Sequence, residues 1–103
     1  MTEEERLKHA KYVFDTCTNL LTIKGKSYGG LEDVLSNFKR NGERISLTKY
    51  QVWSVYFNKH IDSINNAIKY DPKNPIDTSE GLENRIFDSI TYLVLLYCLL
   101  IED

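Results

Sequence analysis

Residues 79–101 read SEGLENRIFDSITYLVLLYCLLI, and we expect this stretch to decide the fold because it predicts the most buried helix of the chain. As a helix, it repeats large apolar side chains at steps of four and three, which places them on one face. This apolar stripe consists of Leu82, Ile86, Ile90, Leu93, Tyr97 and Leu100. The pattern predicts that the stripe faces the core.

Three acidic residues, Glu80, Glu83 and Asp88, flank this stripe near the start of the predicted helix. Side chains three or four positions apart share a side of a helix, so Glu80 and Glu83 can approach a common ligand, with Asp88 offset around the axis. One interpretation is that the acids only favour the positive end of the helix dipole or pair locally. The other is a carboxylate site for a divalent metal that bridges to phosphates.

The chain has 103 residues, of which 42% are hydrophobic and 27% charged, and this predicts one globular domain over residues 1–103. Its net charge of −2 provides no basic surface for duplex nucleic acid. The start of the chain is acidic and lacks an apolar signal core, so we expect a cytoplasmic protein. Cys17 and Cys98 occupy apolar helix positions, which predicts buried free thiols.

The rest of the chain predicts three further helices. Thr2 and Glu5 form a capping-box pattern that opens a helix of about residues 2–21. A short helix carries Leu31 to Phe38 and ends near Asn41-Gly42. A long helix follows with Tyr50, Trp53, Phe57, Ile61, Ile64 and Ile68 on one face, capped by Ser46 or Thr48, and the proline-containing residues 70–77 separate it from the last helix. The predicted fold is an all-α antiparallel bundle of three long helices and one short helix.

The loop after the first helix reads KGKSYGG over residues 24–30. Its lysines and glycines could hold a phosphate through ammonium and amide groups, although the Walker spacing is missing. A plain interhelical loop explains the same composition. His60 is expected on the surface of the third helix, more often as a packing residue than as a metal ligand.

No serine-nucleophile elbow, Cys-x-x-Cys or His-Glu-x-x-His motif is present, so any enzyme activity is narrowed to metal-assisted chemistry on a phosphate. Three segments carry a resemblance to a known family. They are Lys24-x-Lys26-x-Tyr28-Gly29 with Glu32 and Phe38, Lys59-His60-Ile61, and Glu80-x-x-Glu83-x-x-x-x-Asp88-x-x-x-Tyr92. Together they resemble small phage and prophage proteins described as nucleotide-modification-associated domains, and the expected location is the host cytoplasm if a phage encodes the chain.

More distantly, the chain resembles the MazG-like all-α nucleotide pyrophosphohydrolases, which bind magnesium through Glu-x-x-Glu and Glu-x-x-Asp pairs. Glu80-x-x-Glu83 supplies one pair, no clean Glu-x-x-Asp follows, and the third helix offers only Asp62. The resemblance implies a set of ligand contacts. They are Mg²⁺ on Glu80, Glu83 and Asp88 with help from Asp62 or Glu32, phosphates on Lys24, Lys26 and Lys59, and a base on Tyr28, Trp53 or Tyr92.

The expected function is therefore the binding of a nucleoside phosphate, with magnesium-dependent pyrophosphohydrolysis as an extension. The alternative is a non-catalytic phage accessory or counter-defence protein that binds a host protein or sequesters a nucleotide. Because residues 93–101 are apolar on every side, we also expect a homo-oligomer, with Leu95, Leu96 and Leu99 at its interface. This run is about half the length that a membrane-spanning helix needs.

Overall fold

The computed structural model describes residues 1–24 and 33–102. Within them the chain forms four helices and no strand, which confirms the all-α fold with three long helices and one short helix. The helices are α1 (Glu3–Lys24), α2 (Ser36–Ile45), α3 (Lys49–Tyr70) and α4 (Leu82–Glu102).

The starts of α1 and α3 follow local sequence signals. Thr2 and Glu5 form the predicted capping box, in which each backbone N–H donates to the other side chain at 3.2 Å. Thr48 and Gln51 form the same arrangement at the start of α3, which settles the choice of N-cap between Ser46 and Thr48. Ser46 instead ends α2 in the left-handed conformation, with φ of 57°.

The short helix α2 begins and ends later than the sequence predicts. Leu35 precedes its first turn, and Leu31 lies outside the described residues. Gly42 does not end the helix, because it is buried inside it and accepts a hydrogen bond from the N–H of Leu47 at 2.9 Å. A Cβ atom at position 42 would lie 2.6 Å from the Leu47 carbonyl oxygen, so the tight turn into α3 requires glycine.

Helices α3 and α4 form the antiparallel pair at the centre of the fold. Tyr50, near the start of α3, donates its hydroxyl hydrogen to the carbonyl of Leu99 at 3.3 Å. Trp53 Nε1 donates to the carbonyl of Tyr92 at 2.6 Å. The contacts therefore move toward the start of α4 as α3 proceeds, and the core cluster forms between these helices and α2 from Leu35, Phe38, Val52, Trp53 and Leu99.

Helix α1 packs on α4 and contacts neither α2 nor α3. Cys17 is its one buried residue, and the Cys17 thiol lies 3.6 Å from the carbonyl oxygen of Phe87. The ring of Tyr12 meets the ring of Phe87 edge-on at 6.1 Å. Cys17 is thus a buried free thiol as predicted, whereas Cys98 is free but only half-buried.

The apolar stripe of α4 faces solvent, which corrects the prediction that it faces the core. Ile86 is 41% exposed, Leu93 50%, Tyr97 64% and Leu100 57%. The buried face of α4 lies on the other side of the helix and is mainly polar in the first half. It comprises Arg85, Phe87, Asp88, Ser89, Thr91 and Leu99.

The predicted interface residues are also on the wrong side. Leu99 is completely buried, and Leu95 and Leu96 pack against the core cluster. A helix that is apolar all round carries no information in its pattern about which side is inward. Arg85 and Asp88 decide the orientation, because their partners Asp77 and Lys24 lie outside α4 on the inward side.

The structure predicts that two phenylalanines contribute differently to the free energy of unfolding. We expect Phe38→Ala to lower the free energy of unfolding by about 3–5 kcal/mol, since Phe38 is 2% exposed and its removal leaves a cavity. The matched variant Phe14→Ala removes a side chain that is 62% exposed and should cost about 0.5 kcal/mol or less. Urea unfolding followed by circular dichroism measures both. Equal losses would contradict the fold, and Phe38→Leu gives a milder variant if Phe38→Ala does not fold.

Candidate functional site

A cleft lies beside α4, between the end of α1, the start of α2 and the middle of α3. Its volume is about 790 Å³, within the range of small-molecule sites. One wall consists of apolar and aromatic side chains, among them Phe38, Tyr56 and Tyr92. The charged lining residues and the histidine lie at the other end, which we call the polar end. They are Lys24, Lys59, His60, Glu80 and Asp88.

An ion pair between α1 and α4 lies at the polar end of the cleft. Lys24 Nζ lies 2.8 Å from Asp88 Oδ1, and the Asp88 side chain is only 11% exposed. Lys24 is the last residue of α1, where a cation suits the negative end of the helix dipole. The Asp88 carboxylate is therefore paired with the Lys24 ammonium group on the inner face of α4.

Arg85, one turn before Asp88 on α4, connects the site to the segment that precedes the helix. Its Nε donates to Asp77 Oδ2 at 2.8 Å, and its Nη2 donates to Ser79 Oγ at 3.2 Å. Glu80 pairs with Nη1 at 3.2 Å. The guanidinium lowers the pKa of the Asp77 carboxyl below its ordinary value by donating this hydrogen bond. Arg85 therefore fixes residues 77–80 at the edge of the cleft.

His60 lies on α3 opposite these charges and is 7% exposed, so the prediction of a surface position was wrong. Its Nδ1 lies 3.3 Å from Arg85 Nη1. Because arginine can only donate, Nδ1 is the acceptor, which places the imidazole hydrogen on Nε2. Burial lowers the pKa of His60; Arg85 acts in the same direction, while Asp88 opposes the shift.

The three carboxylates predicted to bind metal do not converge. Glu80 and Asp88 line the cleft, but each is paired with a basic residue. Glu83 is exposed and lies about 140° around the helix from Asp88, since they are five residues apart. No group of three metal-ligating residues forms within residues 1–24 and 33–102. Asp62 is exposed and does not line the cleft, and Glu32 lies outside the described residues.

Some of the residues predicted to contact phosphate or base line the cleft, and others do not. Lys24 and Lys59 line the cleft, whereas Lys26 and Tyr28 lie outside the described residues. Tyr92 lines the cleft, with its ring 5.2 Å from the His60 ring and 6.3 Å from the Phe38 ring. Trp53 is a core residue stacked on Phe57 at 4.7 Å and does not line the cleft, so it offers no surface to a base.

The sequence prediction missed Arg85, Asp77 and Tyr56. A signal for Arg85 was present, since Arg85 and Asp88 are three residues apart inside an apolar segment and so share a helix face. A basic and an acidic residue on one face of such a helix indicate an internal polar contact. Asp77 and Tyr56 carry no comparable local signal, because each reaches the site through the tertiary fold.

Comparison of the chain with protein-family models, with curated proteins and with solved structures finds no match. Functional inference therefore rests on the geometry described above and on the sequence resemblance.

The buried neutral His60 predicts a loss of stability in mild acid. The unfolded chain takes up a proton near the ordinary histidine pKa of about 6.5, whereas folded His60 resists protonation, so unfolding becomes easier as pH falls below about 6.5. Asp77 adds nothing in this window, because its lowered pKa makes its contribution disappear only below about 4.

We expect His60→Asn, which retains an acceptor for Arg85, to flatten the decline in unfolding free energy between about pH 7 and 5. Urea unfolding at several pH values measures the slope. The matched control is His9→Asn, since His9 is the other histidine and lies exposed on α1. An unchanged slope in His60→Asn, or an equal change in His9→Asn, would contradict the buried neutral histidine.

Proposed function

We propose that this protein binds a nucleoside phosphate in the cleft between α1, α2, α3 and α4. The observation that carries the proposal is the position of Lys59. Its exposed side chain lies at the edge of the cleft and has no carboxylate partner within residues 1–24 and 33–102. An ammonium group attracts phosphate, and an aromatic ring beside it can stack on a base. The two features together therefore suit the two parts of a nucleotide.

Lys59 differs from the other charged residues around the cleft, because those residues are in ion pairs. Lys24 pairs with Asp88, and Arg85 is shared by Asp77 and Glu80. His60 is neutral near pH 7 because its pKa is lowered. The charges of the lining residues Lys24, Lys59, Glu80 and Asp88 sum to zero, but among these four Lys59 is the one without an opposite charge in contact within the described part of the chain. An anionic phosphate can therefore bind at Lys59 without displacing an existing ion pair.

The aromatic wall supports a planar group next to the phosphates. Tyr56 is 37% exposed and meets the Phe38 ring edge-on at 6.5 Å, so part of its ring is open to the cleft. Its hydroxyl accepts a hydrogen bond from Asn41 at 3.4 Å, which helps to fix the side chain. Stacking on such a ring is worth about 1–3 kcal/mol per base.

Magnesium-dependent hydrolysis would require a metal site in addition to the nucleotide site. Mg²⁺ prefers oxygen ligands in octahedral geometry, and the described residues offer two carboxylates that already have basic partners. The residues do not fit a protein-held metal, so no catalytic step is assigned. Hydrolysis stays a prediction from the MazG-like resemblance, and nucleotide sequestration by a phage accessory protein uses the same cleft without it.

Removal of the unpaired lysine should weaken nucleotide binding. We expect Lys59→Ala to raise the dissociation constant of a nucleoside triphosphate about tenfold, because a charge-assisted contact contributes about 1.5–3 kcal/mol. The matched control, Lys69→Ala, removes an exposed lysine of the same helix outside the cleft and should have no effect. Isothermal calorimetry and thermal shifts with nucleoside, triphosphate ion and nucleoside triphosphate measure the parts of the ligand separately.

The same measurements with and without Mg²⁺ separate binding from metal dependence. If the ligand contacts lysines directly, Asp88→Asn frees Lys24 and should strengthen binding without Mg²⁺. If Asp88 holds a metal, the same variant should instead abolish a binding signal that depends on Mg²⁺. Absence of any shift with all common nucleotides, in either buffer, would contradict the proposed function.

A further inference from the structure

The exposed apolar stripe of α4 runs along the whole helix on the side away from the cleft. Five of its members, Ile86, Ile90, Leu93, Tyr97 and Leu100, are separated by four, three, four and three residues. This alternation is the a/d pattern by which helices pack along a shared seam. Ile90 is half-buried and the other four are 41–64% exposed, so residues 1–24 and 33–102 leave most of the stripe uncovered.

The chain alone exposes more surface than a compact protein of its mass. Its accessible surface is 7564 Å², whereas a folded monomer of 12.0 kDa exposes about 6,000 Å². The radius of gyration is 15.5 Å, compared with about 13 Å for a compact domain of this length. The excess of about 1,500 Å² belongs to the whole chain, and the stripe supplies one part of it. A typical stable interface buries roughly 800 Å² on each partner, which is about half of this excess.

We propose that the stripe binds a second copy of this chain, so that α4 packs against α4 of the partner around a two-fold axis. A two-fold interface uses the same patch on both copies, and a stripe with the a/d spacing is complementary to itself. Tyr97 is the expected anchor, because tyrosine is enriched among the residues that contribute most of the binding energy of an interface. Leu93 and Leu100 beside it would bury apolar surface. The dimer does not depend on the nucleotide proposal, since the cleft is on the other side of α4.

A membrane is the other apolar environment that α4 could meet, since the helix is long and apolar enough to cross one by length and composition. The opposite face of α4 carries Arg85 and Asp88, whose partners lie on the neighbouring segments of the same chain. Spanning a bilayer would separate these charges from their partners. A helix lying on a lipid surface normally has lysines or arginines beside its apolar face. The one basic residue of α4 is Arg85, which is buried.

Light scattering and sedimentation across a dilution series test the dimer on the wild-type chain. The expected mass is about twice 12.0 kDa at micromolar concentration. Tyr97→Glu and Leu100→Glu should weaken self-association about tenfold or more while the helical circular dichroism is retained, because both side chains are exposed within one chain. The matched control, Ile76→Glu, changes an apolar residue that is 66% exposed outside the stripe and should leave the mass unchanged.

Three results would overturn the proposal. The first is a wild-type chain that stays at 12.0 kDa up to millimolar concentration. The second is a dimer that Tyr97→Glu and Leu100→Glu leave intact. The third is a monomer that binds to vesicles of neutral phosphatidylcholine through the stripe, so that Tyr97→Glu abolishes binding and Ile76→Glu does not.

Discussion

The buried charges on the inner face of α4 fix the orientation on which the rest of the structure depends. Arg85 and Asp88 are both less than 10% exposed, and each finds its opposite charge on a segment outside α4, at Asp77 and at Lys24. An unpaired charge in this position would cost several kcal/mol. The hydroxyls of Ser89 and Thr91 are satisfied by carbonyls of the preceding turn, so they add no unpaired group to the same face. A rotation of α4 that buried its apolar stripe would expose or separate these pairs.

The cleft and the apolar stripe are therefore two consequences of one orientation. With the polar face inward, the charged groups of α4 meet the end of α1 and the middle of α3, where they form the polar end of a cleft of about 790 Å³. With the apolar face outward, the helix presents the a/d pattern to solvent. The first feature supports a nucleotide ligand, and the second supports a copy of the chain. The two sites lie on opposite sides of α4, so each can be tested by substitutions that leave the other unchanged.

The sequence was sufficient to predict the helices, but it was not sufficient to predict which side of α4 faces inward. Capping boxes at Thr2 and Thr48 and the proline-containing connector are local signals, so the helices and the all-α class could be predicted. The inward side of α4 could not, because the apolar periodicity was interpreted as the core face. The same limit applies to the site. Lys24 meets Asp88 across 64 positions, and Glu80 pairs with Arg85. Glu83, which the sequence had grouped with these two carboxylates, is exposed and lies about 140° around α4 from Asp88.

The inward orientation of α4 is tested most directly by a nitrogen-15 NMR titration of the two histidine rings, because His60 contacts the inner charges of α4 and reports on their arrangement. We expect His60 to be neutral at pH 7, to carry its hydrogen on Nε2, and to have a pKa below the ordinary histidine value of about 6.5. A His60 ring that titrates at or above that value, or that exchanges between both tautomers as a ring in water does, would contradict the inward orientation of Arg85 and Asp88.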